Sequence, residues 1–472
     1  MGETYVDVRR GEYHDSVSLM SASLVLAKVP GIAEAQVAMG TPLNLGLLAE
    51  RGFDVPAGTG AGDLVVAMRV ADLPGQRAES VLSLAADRLD EVLRAQAPEA
   101  GGDGGAAPAP RTVGGLLTRT PARLALVSVP GEYAFAEAMD AVRAGSSVMV
   151  FSDNVPVWQE VALKEEAARR GVLVMGPDCG TAQIDAAGLG FANVVEVGPV
   201  SIVAASGTGA QHLMCLLDAA GLGVRHVIGV GGRDLSAEVG GRSTRQALDA
   251  LAGDYDTRLT VVVSKPPDPD LVARLRQEAR DRRQSVLWAP VGPGERDLTA
   301  VAEDVLRAFE IPAPDWPQWR PPTPLAATPG RALRGLFCGG TLCTEAATIA
   351  GAALPADRFT MTDFGDDAYT RGRAHPMIDP TLRTERFVHD AADPDVGTVL
   401  LDVVLGHGSH PDPAADLAPA VAAARANVVV SLTGSNGDPQ VRDDQAAALA
   451  AAGAHVHLSN AAATRHAISL LT

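Results

Sequence analysis

The chain is patterned as short apolar runs that end in glycine-rich turns and lead into stretches with apolar residues at helical spacing. The clearest instance is Val200 to Ala205, an apolar run of strand length. Ser206-Gly207-Thr208-Gly209 ends it, and Leu213, Leu216 and Leu217 follow at helix spacing. That order predicts a strand, a glycine turn and the open N-terminus of a helix. Such an end carries unpaired N–H groups and the positive pole of the helix dipole, so it suits a phosphate or carboxylate. The glycines let an anion approach the backbone, and Ser206 and Thr208 add hydroxyl donors. A ligand-free strand-to-helix turn has the same pattern, so the turn alone does not decide between the two.

The pattern divides the chain into four units. Residues 1–96 predict a small α+β, ferredoxin-like domain with helices over 15–27 and 77–96 and strands over 34–39 and 63–70. Asp15 or Ser16 is the expected N-cap of the first helix, and Gly40-Thr41-Pro42 reads as a structural turn. Pro, Gly and Ala dominate 97–112, a linker. Over 113–198 strands at 124–129, 147–151 and 172–175 alternate with helices at 133–144 and 157–170, which predicts a parallel, Rossmann-like sheet. Ligands of such sheets sit beyond the C-terminal strand ends, where Pro130-Gly131, Ser152-Asp153-Asn154 and Gly176-Pro177-Asp178 fall. No GxGxxG follows the first strand, which argues against a dinucleotide. Residues 199–309 predict a flavodoxin-like unit whose strands end at the Ser206 turn, at Gly231-Gly232-Arg233-Asp234 and at Lys265-Pro266-Pro267. A proline-dense linker spans 310–330. Residues 331–472 predict a last flavodoxin-like unit, with turns at Gly339-Gly340-Thr341, Gly406-His407-Gly408-Ser409 and Thr433 to Asp438. The Gly406 turn is expected to be a second helix end facing the same phosphate as Ser206.

Composition narrows the partners. A net charge of −18 excludes a nucleic-acid surface, which needs clustered Lys and Arg. No apolar stretch is long enough to span a membrane and no signal-peptide core opens the chain, so a cytoplasmic protein is expected. Cys179, Cys215, Cys338 and Cys343 are dispersed, without zinc spacing, and read as free thiols; no metal site is assigned. His455 and His457 read as packing residues.

Eleven motifs in order carry a resemblance that spans nearly the whole chain. They include Asp15-Ser-Val-Ser-Leu-Met20, Met39-Gly-Thr-Pro42, Phe151-Ser-Asp-Asn-Val155 and Val174-Met-Gly-Pro-Asp-Cys-Gly-Thr181. Ala205-Ser-Gly-Thr-Gly209, Gly231-Gly-Arg-Asp-Leu-Ser236 and Ser264-Lys-Pro-Pro267 follow, then Gly339-Gly-Thr-Leu342, Gly365-Asp-Asp-Ala-Tyr369, His375 to Arg383 and Leu401-Asp-Val-Val404. On these the sequence resembles the FdrA family, acyl-CoA synthetase-like proteins related to succinyl-CoA synthetase.

The resemblance implies a multidomain α/β fold behind the small α+β domain. Its parts are a Rossmann-like CoA-binding-type domain and two flavodoxin-like synthetase-type domains, the last like the C-terminal domain of the synthetase β chain. It implies a phosphate held between two helix ends, Ser206 to Gly209 on one side and Gly406, Gly408 and Ser409 on the other. The chain departs from the synthetases in having no ATP-grasp domain and no Gly-His-Ala-Gly-like phosphohistidine segment after Pro267. The family's link to oxamate carbamoyltransferase therefore implies carbamoyl transfer from carbamoyl phosphate to an oxamate-like acceptor, with companion subunits and a homo-oligomer. The alternatives are an acyl-CoA ligase subunit borrowing an ATP-grasp partner, and a non-catalytic CoA- or nucleotide-binding scaffold.

Fixed N–H donors stabilise the charge that develops as phosphate leaves. Arg233 and Lys265 are candidates to hold a carboxylate, and His375 and His407 to polarise a carbonyl or carry a proton. Asn154, Asp178, Asp366, Asp367, Arg373 and Asn436 are candidate substrate contacts, and CoA is a possible ligand if the ancestral loops persist. Competing structural readings are an Arg233–Asp234 ion pair and a turn fixed by His375-Pro376. Asp366 and Asp367 alone do not define a metal site.

Overall fold

The computed structural model describes residues 3–12, 14, 16–71, 78–96, 110–322, 330–370 and 374–471. The chain divides into two units, 1–109 with 370–374, and 110–369 with 375–472.

In the first unit the strands Glu3–Arg9, Ile32–Met39 and Leu64–Val70 form an antiparallel sheet with the Leu64 strand in the middle. The helices Ser16–Ala27 and Ala78–Gln96 cover one face, burying Leu19, Leu26, Val37, Leu64 and Leu89. The central strand is apolar except for Arg69 because both of its faces are covered, the second by Leu48 and Phe53. Thr41 caps the helix Pro42–Glu50, its hydroxyl accepting from the Asn44 N–H at 3.3 Å. The edge strand Glu3–Arg9 is not among the predicted elements, although Val6 and Val8 alternate with polar residues along it. Asp15 and the segment 97–109 of the first predicted linker lie outside the described residues.

The second unit holds three parallel-type sheets. Leu124–Val127, Ser147–Val150 and Val174–Met175 form the smallest. A six-stranded sheet follows in the order Val286–Pro290, Leu259–Ser264, Val200–Ala205, Val224–Gly229, Thr181–Ile184, Ala187–Gly190. Its last two strands are an antiparallel hairpin that sequence patterning assigned to the preceding domain. Thr181–Ile184 leaves that domain because Gln183 pairs with Val227 and its side chain donates to the Val224 carbonyl at 3.0 Å.

A second six-stranded sheet runs Gln318–Trp319, His455–His457, Asn427–Thr433, Val396–Val404, Ala332–Phe337, Phe359–Asp363. The proline-dense linker thus supplies an edge strand, Gln318–Trp319, antiparallel to Val456 and His457. The stretch 323–329 of that linker lies outside the described residues.

Helices from the two large sheets pack against one another. Gly207–Ala219 touches Leu298–Ala308 and Gly340–Ala353, and the latter packs on Asn460–Ser469. Fully buried His212 staples this layer: its ring is 2.8 Å from the Thr433 hydroxyl, and its Nε2 accepts from the Asn460 N–H at 3.3 Å. The packing brings the N-termini of two helices, one from each sheet, to a common point.

Candidate functional site

Ser206 is buried at the end of strand Val200–Ala205 and caps the helix Gly207–Ala219, its Oγ accepting from the Gly209 N–H at 3.0 Å. The same hydroxyl lies 2.6 Å from Thr341 Oγ1, at the start of helix Gly340–Ala353. Gly339 approaches so closely that a Cβ there would sit 2.9 Å from Thr208 Oγ1. The two helix ends therefore abut. First-turn N–H groups of a helix have no backbone acceptor within it, and one of these, that of Gly209, is taken by Ser206 Oγ.

Fully buried Asp402 holds the second end in place. Its carboxylate accepts from the Cys338 N–H at 2.7 Å and the Gly339 N–H at 2.8 Å. Buried Arg383 balances the charge, donating to Asp402 Oδ1 at 2.7 Å and to its carbonyl at 2.6 Å.

Three further side chains border this helix end. Exposed Lys265, just after strand Leu259–Ser264, brings Nζ to 3.3 Å from the space a Cβ on Gly340 would take. Asp363 Oδ2 comes to 2.5 Å from the same space, while Oδ1 accepts from the Gly365 N–H at 2.8 Å. Burial pushes the Asp363 carboxyl up to about 6. His375 Nε2 stands 2.8 Å from where a Gly365 Cβ would sit. Its Nδ1 accepts from the Met377 N–H at 3.2 Å, so in the neutral ring Nε2 carries the proton. Burial holds this imidazole down to about 4, so it is a neutral donor near pH 7.

The second helix end is thus Gly339-Gly340-Thr341 and not Gly406-His407-Gly408-Ser409, which corrects the sequence reading. After strand Val396–Val404 the chain stays in a loop, with Gly406 and Gly408 at φ +112° and +80°. The next helix starts only at Pro413, capped by Asp412. Backbone hydrogen bonds dock His407 on Ala192, His407 N–H donating at 2.8 Å, and its side chain is exposed. Ser409 packs on its own turn, its N–H donating to the Gly406 carbonyl at 3.3 Å.

Arg233 is also placed away from this point. It forms neither a pair with Asp234 nor a free carboxylate clamp, because it ion-pairs with Glu160 Oε2 at 2.9 Å and donates to the Val155 carbonyl at 2.8 Å. Asp234 instead pairs with buried Lys164 at 2.8 Å, which also pairs with Glu160. Asn436 is used by Asp443, whose backbone N–H it accepts at 3.0 Å and whose carboxylate it donates to at 2.9 Å. Asp366 accepts from the Ala368 N–H at 2.9 Å and opens a short helix. Arg373, and the side chain of Asp367, lie outside the described residues.

The loops after the small sheet do converge. The Asp178 N–H donates to the Ser152 carbonyl at 2.9 Å, and Ser152 Oγ donates to the Val129 carbonyl. A Cβ on Gly131 would collide with the Asp153 carbonyl. Asn154 and Asp178 are both exposed there, in the left-handed region at φ 53° and 58°. Thr181, from the same segment, reaches within 3.4 Å of the Cβ position of Gly207, so this loop cluster adjoins the helix ends.

Sequence reasoning missed Thr341, Asp363, Asp402 and Arg383. Three of the four lie in or beside motifs it had singled out: Gly339 to Leu342, Leu401 to Val404 and His375 to Arg383. Asp363 precedes such a motif by two residues.

Residues 336–470 match the CoA-ligase family model, and residues 1–110 match the model described as AllF, heavy metal-associated domain. The chain is 35% identical over 446 residues to the uncharacterized protein YahF of Escherichia coli (strain K12), covering 86% of this chain and 85% of YahF. Among solved structures, the dinucleotide-forming acetyl-coenzyme A synthetase 1 of Ca. Korarchaeum cryptofilum, in complex with phosphate and ADP, is 14% identical. It covers 78% of this chain and 95% of that one with a TM-score of 0.31. The ATP citrate lyase of Methanothrix soehngenii, in complex with citrate and coenzyme A, is 15% identical over 38% of this chain and 30% of that one, with a TM-score of 0.32.

The metal implied by the name of the N-terminal model does not fit the residues present. Residues 1–110 contain no cysteine, the thiolate ligand that soft metals select. No group of three His, Cys, Asp or Glu among the described residues is arranged to hold a metal ion. No helix among them is long and apolar enough to cross a membrane. With a CoA-ligase match in its C-terminal sheet, an AllF-type N-terminal unit and a relative matched over most of both lengths, the chain belongs to the FdrA/AllF-type family of CoA-ligase-like proteins.

Proposed function

We propose that the chain carries out CoA-ligase-type acyl transfer on a small acyl phosphate whose phosphate sits where the helices Gly207–Ala219 and Gly340–Ala353 abut. The supporting observation is the 2.6 Å approach of Ser206 Oγ to Thr341 Oγ1, which brings two positive helix poles from two sheets to one point. Lys265 adds a full charge beside them. As the bond between acyl carbon and phosphate oxygen breaks, negative charge grows on the phosphate. Donors already fixed in place stabilise it without reorganising. His375, a neutral Nε2–H donor, polarises the acyl carbonyl. The loops at Pro130-Gly131, Ser152 to Asn154 and Gly176 to Asp178 are the place for CoA, with Asn154 and Asp178 as contacts, and a separate ATP-grasp partner supplies the nucleotide chemistry.

A second reading keeps the same cradle and changes the acceptor. Ser206, Thr341, Lys265 and the helix N–H groups are all donors, which suits direct transfer from a preformed carbamoyl phosphate to an oxamate-like acceptor with companion subunits present. Purified chain, alone and with those partners, is to be given acetyl or carbamoyl phosphate together with CoA or oxamate. Thioester formation supports the first reading and oxalurate the second. Acyl phosphate left unconsumed in every combination contradicts both.

A further inference from the structure

We infer that Asp363 is a catalytic residue of this site, the group that takes the proton from the acyl acceptor as it attacks. The inference rests on the acyl-phosphate reading above and assigns a role that the reading leaves open.

An acceptor X–H, a thiol or an amide nitrogen, must lose its proton as it bonds to the acyl carbon. The C–X bond forms from the lone pair on X. The C–O bond to phosphate breaks, and its electron pair leaves with the phosphate into the cradle. The proton of X–H passes to Asp363 Oδ2 and from there to solvent.

The surrounding groups leave this position to Asp363. Its Oδ1 is fixed by the Gly365 N–H at 2.8 Å, while among the described residues Oδ2 accepts no hydrogen bond. That oxygen lies at the open end of helix Gly340–Ala353, over Gly340, beside the phosphate position. Lys265 Nζ borders the same space without an ion pair within 4 Å among the described residues, and its charge pulls the carboxyl down by less than burial pushes it up. Asp402 is closed to this role because it is fully buried and holds Cys338, Gly339 and Arg383. Asp366 caps Ala368. His375 has its Nδ1 occupied and its Nε2 protonated, so it donates. The thiols nearby, Cys338 and Cys343, are buried and pushed up, Cys343 to about 12, so they stay protonated. The charged and titratable groups facing Asp363 are thus Lys265, Asp366, Asp402, His375 and these two thiols. Burial moves the Asp363 carboxyl toward neutrality, which is where a general base is most effective.

The test compares full-length wild type, Asp363→Asn and Asp363→Glu, with their companion subunits, on the acyl phosphate and acceptor that the wild type turns over. Asp363→Asn keeps the acceptor for the Gly365 N–H, and circular dichroism checks that it folds. The expected result is a fall in kcat of about 100- to 10,000-fold, the range for losing a general base. KM for the acyl phosphate should change little, the acidic limb of the pH–rate profile should disappear, and Asp363→Glu should recover part of the rate. Asp363→Asn turning over within about threefold of wild type, or keeping the acidic limb, overturns the inference while the acyl-phosphate reading stands. If Asp363→Asn fails to fold, Asp363→Glu with a wild-type rate and an unshifted limb overturns it equally. A wild type that consumes no acyl phosphate overturns the reading and the inference together.

Discussion

Ser206 does two jobs with one hydroxyl. It caps its own helix by accepting from Gly209, and it touches Thr341 on the other helix. Ser206→Ala removes both, at a stability cost of about 1 kcal/mol for the lost cap, measurable as a lower urea midpoint. Weaker phosphate binding is expected as well; unchanged affinity would argue that the hydroxyl contact is incidental. Asp402 is more consequential for stability. Asp402→Asn leaves Arg383 buried without its counter-charge, and breaking a buried pair in this way costs about 3–5 kcal/mol. Equilibrium unfolding in urea reads that directly.

These residues also show what was legible. The Ser206 turn could be read because a run apolar but for Ser201, a glycine turn and a helical repeat follow one another directly. Gly406 to Ser409 follows an equally buried strand and misled the reading for a local reason. Asp412-Pro413 is an N-cap followed by a proline at the first helical position, and it moves the helix start past the glycines. Asp363 and Asp402 act through partners that no local pattern ties to them, such as Arg383 for Asp402, so no spacing announces them.

At the scale of elements, the site depends on two helices whose ends are close enough to touch. Gly339 permits this, since any Cβ there meets Thr208. Gly339→Val should push the ends apart, with an overpacking cost of about 1–3 kcal/mol. Phosphate affinity should fall by about tenfold or more while far-UV circular dichroism stays as in wild type, since about 1.4 kcal/mol lost from binding is a factor of ten. Retained affinity would show that the ends need not abut. Elements in the regular strand–helix alternation were readable, the short strand at 172–175 included, whereas Glu3–Arg9 was not despite its seven residues. The hairpin Thr181–Ile184 with Ala187–Gly190 and the edge strand Gln318–Trp319 are too short to show a period, and pairing to distant strands defines them.

For the whole second unit, stability and the site share one set of buried contacts between the two large sheets. His212 is central to them, and burial holds it down to about 4, against an ordinary value of 6.5. Its folded-state value is depressed, so the unfolded chain binds more protons between those limits. The stability it provides is complete above pH 6.5 and is lost as pH falls toward 4, up to about 3 kcal/mol. Urea unfolding at about pH 7 and about pH 5, on either side of the ordinary imidazole value, should show a smaller pH difference in His212→Gln than in wild type. An equal difference in both proteins would place the acid sensitivity elsewhere.

Everything proposed for this chain turns on whether the abutting helix ends, with Lys265, hold a phosphate. Calorimetric titration of the full chain with inorganic phosphate decides it, comparing wild type with the paired substitution Lys265→Ala and Gly339→Val. One phosphate bound per wild-type chain, and no measurable binding in the double variant, is the expected result. Wild-type protein that binds no phosphate, or a double variant that binds it as tightly, would contradict the phosphate cradle.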